Sequence, residues 1–507
     1  MALFTGENAL LEKVERHDRH QFEIKLDYPL DPNAKVQSYT VEAYFFASQS
    51  LNVNQMTFGP REFYSDVRDF VRFKTPQMTL AQVVGQDPRS PIGRLAGCAE
   101  SFKAGTAGPT DLRTLVHEAK MLGCILRASL RDLGQLVVET RARGTPADTA
   151  NAVRLAQESL APLATALSRY RESVDALLIP GFPQDVLAAM HLVDEYLSLT
   201  AESYALHLLD VVPDMDAGLR DRVIGLAAGE AGYRTSRGYR SVARADADNE
   251  EFVFRNSLLK KYVASAQYLH IRTEDARSSV EHALFAVAAG VSMAFATSVS
   301  FWAASLAPVS WTLFAVLVVS YMLKDRIKEV GRQFFLRLLG RSVADHRVVI
   351  TDPVTGVRIG KFRQKFLFVP PDKVPEDVRR LRNSGRTEIL AEREFSESVF
   401  RYTKLLTVEP GRVTGGRERV AALTDVLRMN VRHFLHSLDE PEPYVEVLDG
   451  GREPRRVKSH RTYHLNVVLR FWRGPDASHA ALRKIRVVLD QGGICRLETF
   501  DPERSAT

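Results

Sequence analysis

Residues 283–323 read ALFAVAAGVSMAFATSVSFWAASLAPVSWTLFAVLVVSYML, without one charged side chain. Apolar runs of more than about eighteen residues read as helices that cross a bilayer, whose hydrocarbon core is about 30 Å thick. At about 1.5 Å per residue, 283–306 would span about 36 Å and 307–323 about 25 Å. Pro308 falls between the two, where it starts a helix without losing a needed hydrogen bond, and Ser305 and Ser310 offer oxygens to the exposed backbone. The stretch therefore predicts an integral membrane protein with a two-helix transmembrane hairpin.

The flanks set an expected orientation. Lys260, Lys261, Arg272 and Arg277 precede the hairpin, Lys324, Arg326, Lys328, Arg332, Arg337 and Arg341 follow it, and the turn between is uncharged. The positive-inside rule then predicts a multi-pass protein of the cell inner (cytoplasmic) membrane with both termini cytoplasmic. Trp302 and Trp311 bracket the turn and Tyr321 adjoins the basic exit, so the expected membrane interface is Trp302, Trp311, Tyr321, Lys324, Arg326, Lys328 and Arg332. Ala286, Gly290, Ala294 and Ser298 recur every four residues as a small-residue stripe for helix packing. It is expected to meet Thr312 and Ala315 of its own hairpin, the alternative being a second copy in a homo-oligomer. Both spans lack ionisable residues, which argues against a proton relay or a charged selectivity ring.

Outward from the hairpin, residues 1–90 read as a small mixed α/β domain, with extended runs in QFEIKLDY and SYTVEAYFF and a helical stretch near 63–73. Residues 91–109 form a turn-rich linker containing Gly93, Gly105, Gly108 and Pro109. Over 110–282, apolar residues such as Leu112, Leu115, Ala119, Leu122, Leu126 and Leu130 recur at three- and four-residue steps, predicting a cytosolic helical bundle whose last helix, about 252–282, leads into the membrane. Residues 324–342 place Ile327, Val330, Phe334 and Leu338 among cations, as a basic amphipathic juxtamembrane helix does, one that either lies in the headgroup region or extends the second span as a stalk packed on the helical bundle. The remaining 343–507 predicts a cytosolic C-terminal α+β domain: a hairpin of HRVVI and VRIGKFRQKFLFV about TDPVTG, a helix near 417–438, then strands in YVEVL, YHLNVVLRFW, IRVVLD and ICRLETF.

Length, charge and cysteine content constrain function further. A chain of 507 residues exceeds one hydrophobic core. The 68 basic and 62 acidic side chains leave only +6, which suits an anionic lipid surface and gives no reason to expect nucleic acid as a partner. Cys98, Cys124 and Cys495 are far apart, so neither a disulfide framework nor a cysteine metal motif is expected. The opening MALFTGENALLEK lacks a basic n-region, and no cleaved signal peptide is expected.

The sequence carries no recognisable catalytic signature. TGVRIGKF, the nearest approach to a phosphate-binding loop, lacks Ser or Thr after Lys361 and reads as a strand. No dinucleotide fingerprint, zinc-protease helix, nucleophile elbow or Glu-x-x-His pair occurs. His191, Asp194 and Glu195, with Glu202 and His207, are expected as solvated or packed side chains of one helix, and Asp246, Asp248, Glu250 and Glu251 as a solvated loop or cap. His17 and His20 have no evident partners. His460 and His464 are expected on one strand face beside Lys458 and Arg461, in a basic surface with Arg452, Arg455 and Arg456 able to meet phosphate groups. Catalytic, cofactor and metal residues are thus unassigned. The expected function is a membrane-tethered cytosolic scaffold or regulatory protein that binds the lipid bilayer, anionic headgroups or a cytosolic protein partner. The alternatives are an oligomeric pore or membrane-remodelling protein, and a membrane-bound enzyme with its site in the C-terminal domain.

Overall fold

A computed structural model provides the fold, describing residues 10–85, 90–106, 108–274, 276–306, 311–342, 344–384, 397–414, 420–440, 443–449 and 453–500. The chain forms two compact units: 1–71, 269–413 and 423–507 in the first, 72–268 and 414–422 in the second. Segments that the sequence suggested as separate N- and C-terminal domains thus belong to one unit.

In the first unit, alternating burial builds two antiparallel arrangements. The strands are β1 (Leu10–Arg16), β2 (Gln21–Pro29), β3 (Gln37–Ala47), β4 (Val67–Phe73), β5 (His270–Glu274), β6 (His346–Thr351), β7 (Arg358–Phe368), β8 (Ser398–Val408), β9 (Ala422–Asn430), β10 (Tyr444–Asp449), β11 (Glu453–Lys458), β12 (Tyr463–Arg473), β13 (Ala481–Asp490) and β14 (Gly493–Phe500). A four-stranded sheet runs β1-β2-β9-β4, an eight-stranded sheet runs β14-β13-β12-β3-β8-β7-β6-β5, and β10 pairs with β11. In the larger sheet β3 is central, flanked by β12 (Val467 opposite Phe45) and β8 (Phe45 opposite Phe400). Aromatic packing consolidates this region: Phe45 stacks on Phe400 at 4.7 Å and Phe63, on helix α1 (Pro60–Asp66), lies 4.8 Å from Phe366. Gly360 on β7 is pressed so closely on β8 that a Cβ there would stand 2.7 Å from the Thr407 carbonyl oxygen.

The second unit is helical, with α2 (Leu80–Val84), α3 (Pro91–Lys103), α4 (Pro109–Ala142), α5 (Pro146–Asp175), α6 (Gln184–Val211), α7 (Ala217–Ser236) and α8 (Glu250–Ala264). Its helix starts follow local chemistry. Pro109 opens α4 while Asp111 accepts the Gly108 N–H at 2.7 Å, and the Thr145 hydroxyl accepts the Asp148 N–H at 3.1 Å at the start of α5. Leu115, Leu122, Leu126, Leu163, Leu197 and Leu208 are among its buried core residues. The expected linker 91–109 is largely α3, and the expected last helix is broken: α8 ends at Ala264 and β5 intervenes.

Between β5 and β6 the chain forms α9 (Ala276–Leu306) and α10 (Trp311–Ser342), about 46 and 48 Å long as helices. Glu274 pairs with Arg347, so both ends of this arm are fixed at the edge of the large sheet. The arm corrects the membrane reading. Among the described residues only His282–Ala303 of α9 is long and apolar enough to cross a membrane. The apolar start of α10, Trp311–Leu323, covers about 20 Å before Lys324, Asp325 and Arg326 continue the same helix. The two-helix transmembrane hairpin is therefore not supported, and neither is the multi-pass inner-membrane localisation with two cytoplasmic termini that rested on it. A second span requires a start at Ala307, and the turn 307–310, with Pro308 and Ser310, lies outside the described residues. Of the two readings of the basic segment 324–342, continuation of the preceding helix is the one observed: the segment is the second half of α10.

The expected helix at 417–438 is replaced by β9 and a short helical turn, Arg432–Leu435. Every residue from Ala422 to Leu427 is buried, because β9 is an inner strand, and such strands lose the alternation that identifies half-exposed ones.

Two glycine substitutions test this packing. Gly360→Ala is expected to destabilise the protein by about 1–3 kcal/mol, since a backbone carbonyl cannot yield as a side chain does. Gly290→Ala, on α9 with open space around it, is expected to be neutral or stabilising by up to about 1 kcal/mol. Urea unfolding of both variants distinguishes these outcomes.

Candidate functional site

The arm concentrates the unusual surface. Phe301 is 75% exposed and Trp311 86%, and Val287, Val291, Met293, Trp302, Phe314, Val318, Val319, Tyr321 and Met322 are exposed as well. Contiguous apolar surface of this extent on a protein marks a contact with lipid or another macromolecule. Ala286, Gly290, Ala294 and Ser298 do share one face of α9, and all four are exposed. That face is not the seam with α10: Ala288 and Ser292 are buried, and a Cβ on Gly331 would lie 3.3 Å from the Ala288 side chain.

Cations begin where the apolar part of α10 ends. Lys324 Nζ sits 3.8 Å above the Tyr321 ring, and the Arg332 guanidinium lies 5.2 Å from the Phe285 ring of α9. Arg326 and Lys328 are exposed. Trp302 and Trp311 stand at the other end of the arm, while Ser305 returns its hydroxyl to the Trp302 carbonyl at 2.7 Å. The side chains of Arg277, Arg337 and Arg341, and residue Arg452, lie outside the described residues. Arginine and lysine beside aromatic rings, with long apolar stems, suit a boundary between water and an apolar phase.

Ionisable clusters inside the two units behave differently, because their members are paired. In the first unit Lys404 of β8 reaches from the large sheet to the small one. Its Nζ donates to Asp69 Oδ1 on β4 and to Asp425 Oδ1 on β9, both at 2.8 Å. The Tyr28 hydroxyl donates to the second Asp425 oxygen at 3.0 Å, and Gln364 donates to the Tyr402 hydroxyl at 2.6 Å and to Asp69. Lys404 and Asp425 are each only 2% exposed. Burial alone would lower the Lys404 pKa, but the charges and hydrogen bonds of Asp425 and Asp69 outweigh it and raise it above the ordinary lysine value. Burial is likewise the largest influence on Asp425. Lys404 opposes it, Asp69 adds to it, and the net direction is upward. The cluster thus joins the two sheets through their interior.

The helical unit holds a second network along α6. Arg171 of α5 lies 3.2 Å from Asp194 and donates to Glu230 of α7 at 2.6 Å, while Tyr233 and Tyr239 donate to the other Asp194 oxygen at 2.8 and 2.9 Å. Arg234 pairs with Glu202 and donates to the Ser198 hydroxyl at 2.9 Å. Arg255 of α8 meets Glu195 at 2.6 Å. Burial, then the bond to Asp194, pushes the Tyr233 phenol up to about 12. Asp194, Glu195 and Glu202 are thus packed against arginines, and His191 joins only by a 3.4 Å approach to Tyr239. Sequence spacing placed these acids on one helix, but the arginines come from three other helices and had no local signal.

The remaining sequence candidates disperse. Asp246 and Asp248 are exposed, and Asn249 ties their loop by accepting the Arg244 N–H at 2.8 Å. His17 lies 3.1 Å from Glu23. His464 lies on β12, whereas His460 precedes the strand and places its Nε2 3.0 Å from Asp490 Oδ2. Cys495 of β14 is near that aspartate, and burial, then Asp490, pushes its thiol up to about 11.

The buried network makes a signed prediction. A raised native pKa means that the Asp425 contribution is fully present below the unfolded value of 3.8 and is lost as pH rises through the native value. Asp425→Asn keeps an oxygen for Tyr28 and leaves Lys404 facing Asp69 alone. Relative to this variant, the unsubstituted protein should lose stability as pH rises from about 4, with no trend below it, in urea unfolding across pH. A gap that does not change with pH would show that Asp425 titrates alike in the native and unfolded states, and so that its native pKa is not raised. Lys404→Met, which leaves two carboxylates facing each other, should destabilise by about 3–5 kcal/mol at neutral pH.

No protein-family model matches this chain, and no curated protein or solved structure does so either.

Proposed function

We propose that the protein is a scaffold that engages an anionic lipid surface through the arm formed by α9 and α10. The observation that carries this reading is the long uncharged surface of the arm, largely exposed in α9 and the first half of α10, followed directly by Lys324, Arg326, Lys328 and Arg332. Apolar side chains of the size of Phe, Leu and Met each gain about 1.5–3 kcal/mol on leaving water, and a basic residue near an anionic surface contributes about 1 kcal/mol. Lipid with acidic headgroups supplies both partners at once. A protein partner would need an equally long apolar groove with acidic residues at one end.

Support for a scaffold over a catalyst comes from the internal commitment of charge. The networks around Lys404 and along α6 hold their acids and bases in pairs inside the two units. The arm is tied to strands at both ends, so the sheet holds whatever the arm contacts in a fixed relation to the unit that bears it.

Vesicle flotation of the full chain tests the proposal. It should float with vesicles containing phosphatidylglycerol and bind neutral phosphatidylcholine less, with the difference shrinking at high salt. Replacing Lys324, Arg326, Lys328 and Arg332 by Gln removes up to about 4 kcal/mol, nearly three orders of magnitude in partitioning. Phe301→Glu with Trp302→Glu should weaken binding to both vesicle types. A full chain that stays unbound with every lipid composition refutes the proposal.

A further inference from the structure

At the edge of the large sheet, away from the arm in sequence, three chemically different side chains converge. One ligand atom from each of His460, Asp490 and Cys495 can be chosen so that all lie within 4.8 Å of one another. They come from the segment before β12, the end of β13 and the start of β14. We propose that His460, Asp490 and Cys495 form a binding site for a zinc-like transition-metal ion. An imidazole nitrogen, a carboxylate oxygen and a thiolate sulfur are the donors that zinc accepts, and three protein ligands leave a fourth position for water or another ligand.

Bond lengths of about 2.0–2.3 Å around a tetrahedral ion place neighbouring donors about 3.3–3.6 Å apart. His460 Nε2 and Asp490 Oδ2, at 3.0 Å, would open slightly, and the sulfur would close by up to about an ångström, both within side-chain rotation. The backbone beneath is firmly held. Asp490 Oδ1 accepts the Gly492 N–H at 2.8 Å, which leaves Oδ2 to face His460. Ile494 donates its N–H to the Arg19 carbonyl at 2.7 Å, and Arg16 donates to the Ile494 carbonyl at 2.9 Å, fixing the residue just before Cys495. Gly493 has φ +133°, and a Cβ there would fall 2.2 Å from the Arg19 carbonyl oxygen, so only glycine permits this approach. Outer contacts that orient the ligands in this way are what a metal site needs. Arg16 and Arg496 bring positive charge nearby, but Arg16 is bound to the Ile494 carbonyl and Arg496 donates to Glu498 at 2.7 Å, while thiolate and carboxylate together supply two negative charges to the ion.

The test uses the full chain with Co²⁺ as a spectroscopic probe and Zn²⁺ as competitor. A thiolate-to-cobalt charge-transfer band should appear at one equivalent and be abolished by Zn²⁺. It should persist in Cys98→Ser with Cys124→Ser, which leaves Cys495 as the sole thiol, and vanish in Cys495→Ser. His460→Gln, at an exposed residue whose replacement leaves the sheet intact, should weaken Co²⁺ binding at least tenfold. Absence of the band in the full chain, its loss in Cys98→Ser with Cys124→Ser, or unchanged affinity in His460→Gln each overturns the assignment.

Discussion

The buried ammonium of Lys404 is the interaction on which the strand-built unit depends. It projects from the eight-stranded sheet and is satisfied only by carboxylates of the four-stranded one, Asp69 and Asp425. A cation removed from water is tolerable only with such partners, and replacing one partner leaves a charge with nothing to face. The two sheets are therefore joined at this point by charge as well as by apolar packing. The same demand explains why Tyr28, Tyr402 and Gln364 gather there: two carboxylates facing one ammonium leave surplus acceptor oxygens, and these side chains fill them.

That junction makes the arm affordable. An exposed apolar helix pair contributes little to its own stability in water, so its position must be imposed from elsewhere. Here β5 and β6 impose it through their antiparallel register, from His270 opposite Thr351 to Glu274 opposite Arg347, and β6 is in turn paired with β7. The arm can thus expose its apolar side chains without endangering the core, since none of the core depends on burying them. The seam between the helices uses small residues, Ala288 against Gly331, which lets the backbones approach and leaves the bulky residues pointing outward.

How much of this was legible depends on whether the signal was local. Strands with one buried and one open face, such as β7 with Arg358–Phe368, announce themselves by alternation, and the helices of the second unit by Leu115, Leu122 and Leu126 at helical steps. β9 did not, because its burial on both faces removed the alternation. Nor did the single-unit pairing of β3 with both β8 and β12, which joins residues more than 350 apart. The uncharged run at 283–323 is legible as apolar, but its length counts as two spans only if the second helix starts at Ala307, whereas the described apolar start of α10 is Trp311–Leu323. Site chemistry was least legible. Asp194 has its arginine partner on another helix, and Cys495 meets His460 only because β12, β13 and β14 are adjacent.

The contrast between the interior and the arm is itself an argument about function. Where the chain buries charge, it supplies counter-charges with close geometry: Arg171 between Asp194 and Glu230, Arg255 on Glu195, Lys404 between two aspartates. Phe301, Trp302, Trp311 and Phe314, by contrast, stand in water with no core contact to explain it. Their exposure is best explained by a contact that the isolated chain does not contain. The ordering of α10, apolar first and cationic after, matches the depth profile of an acidic bilayer, and the proposed lipid contact rests on that match.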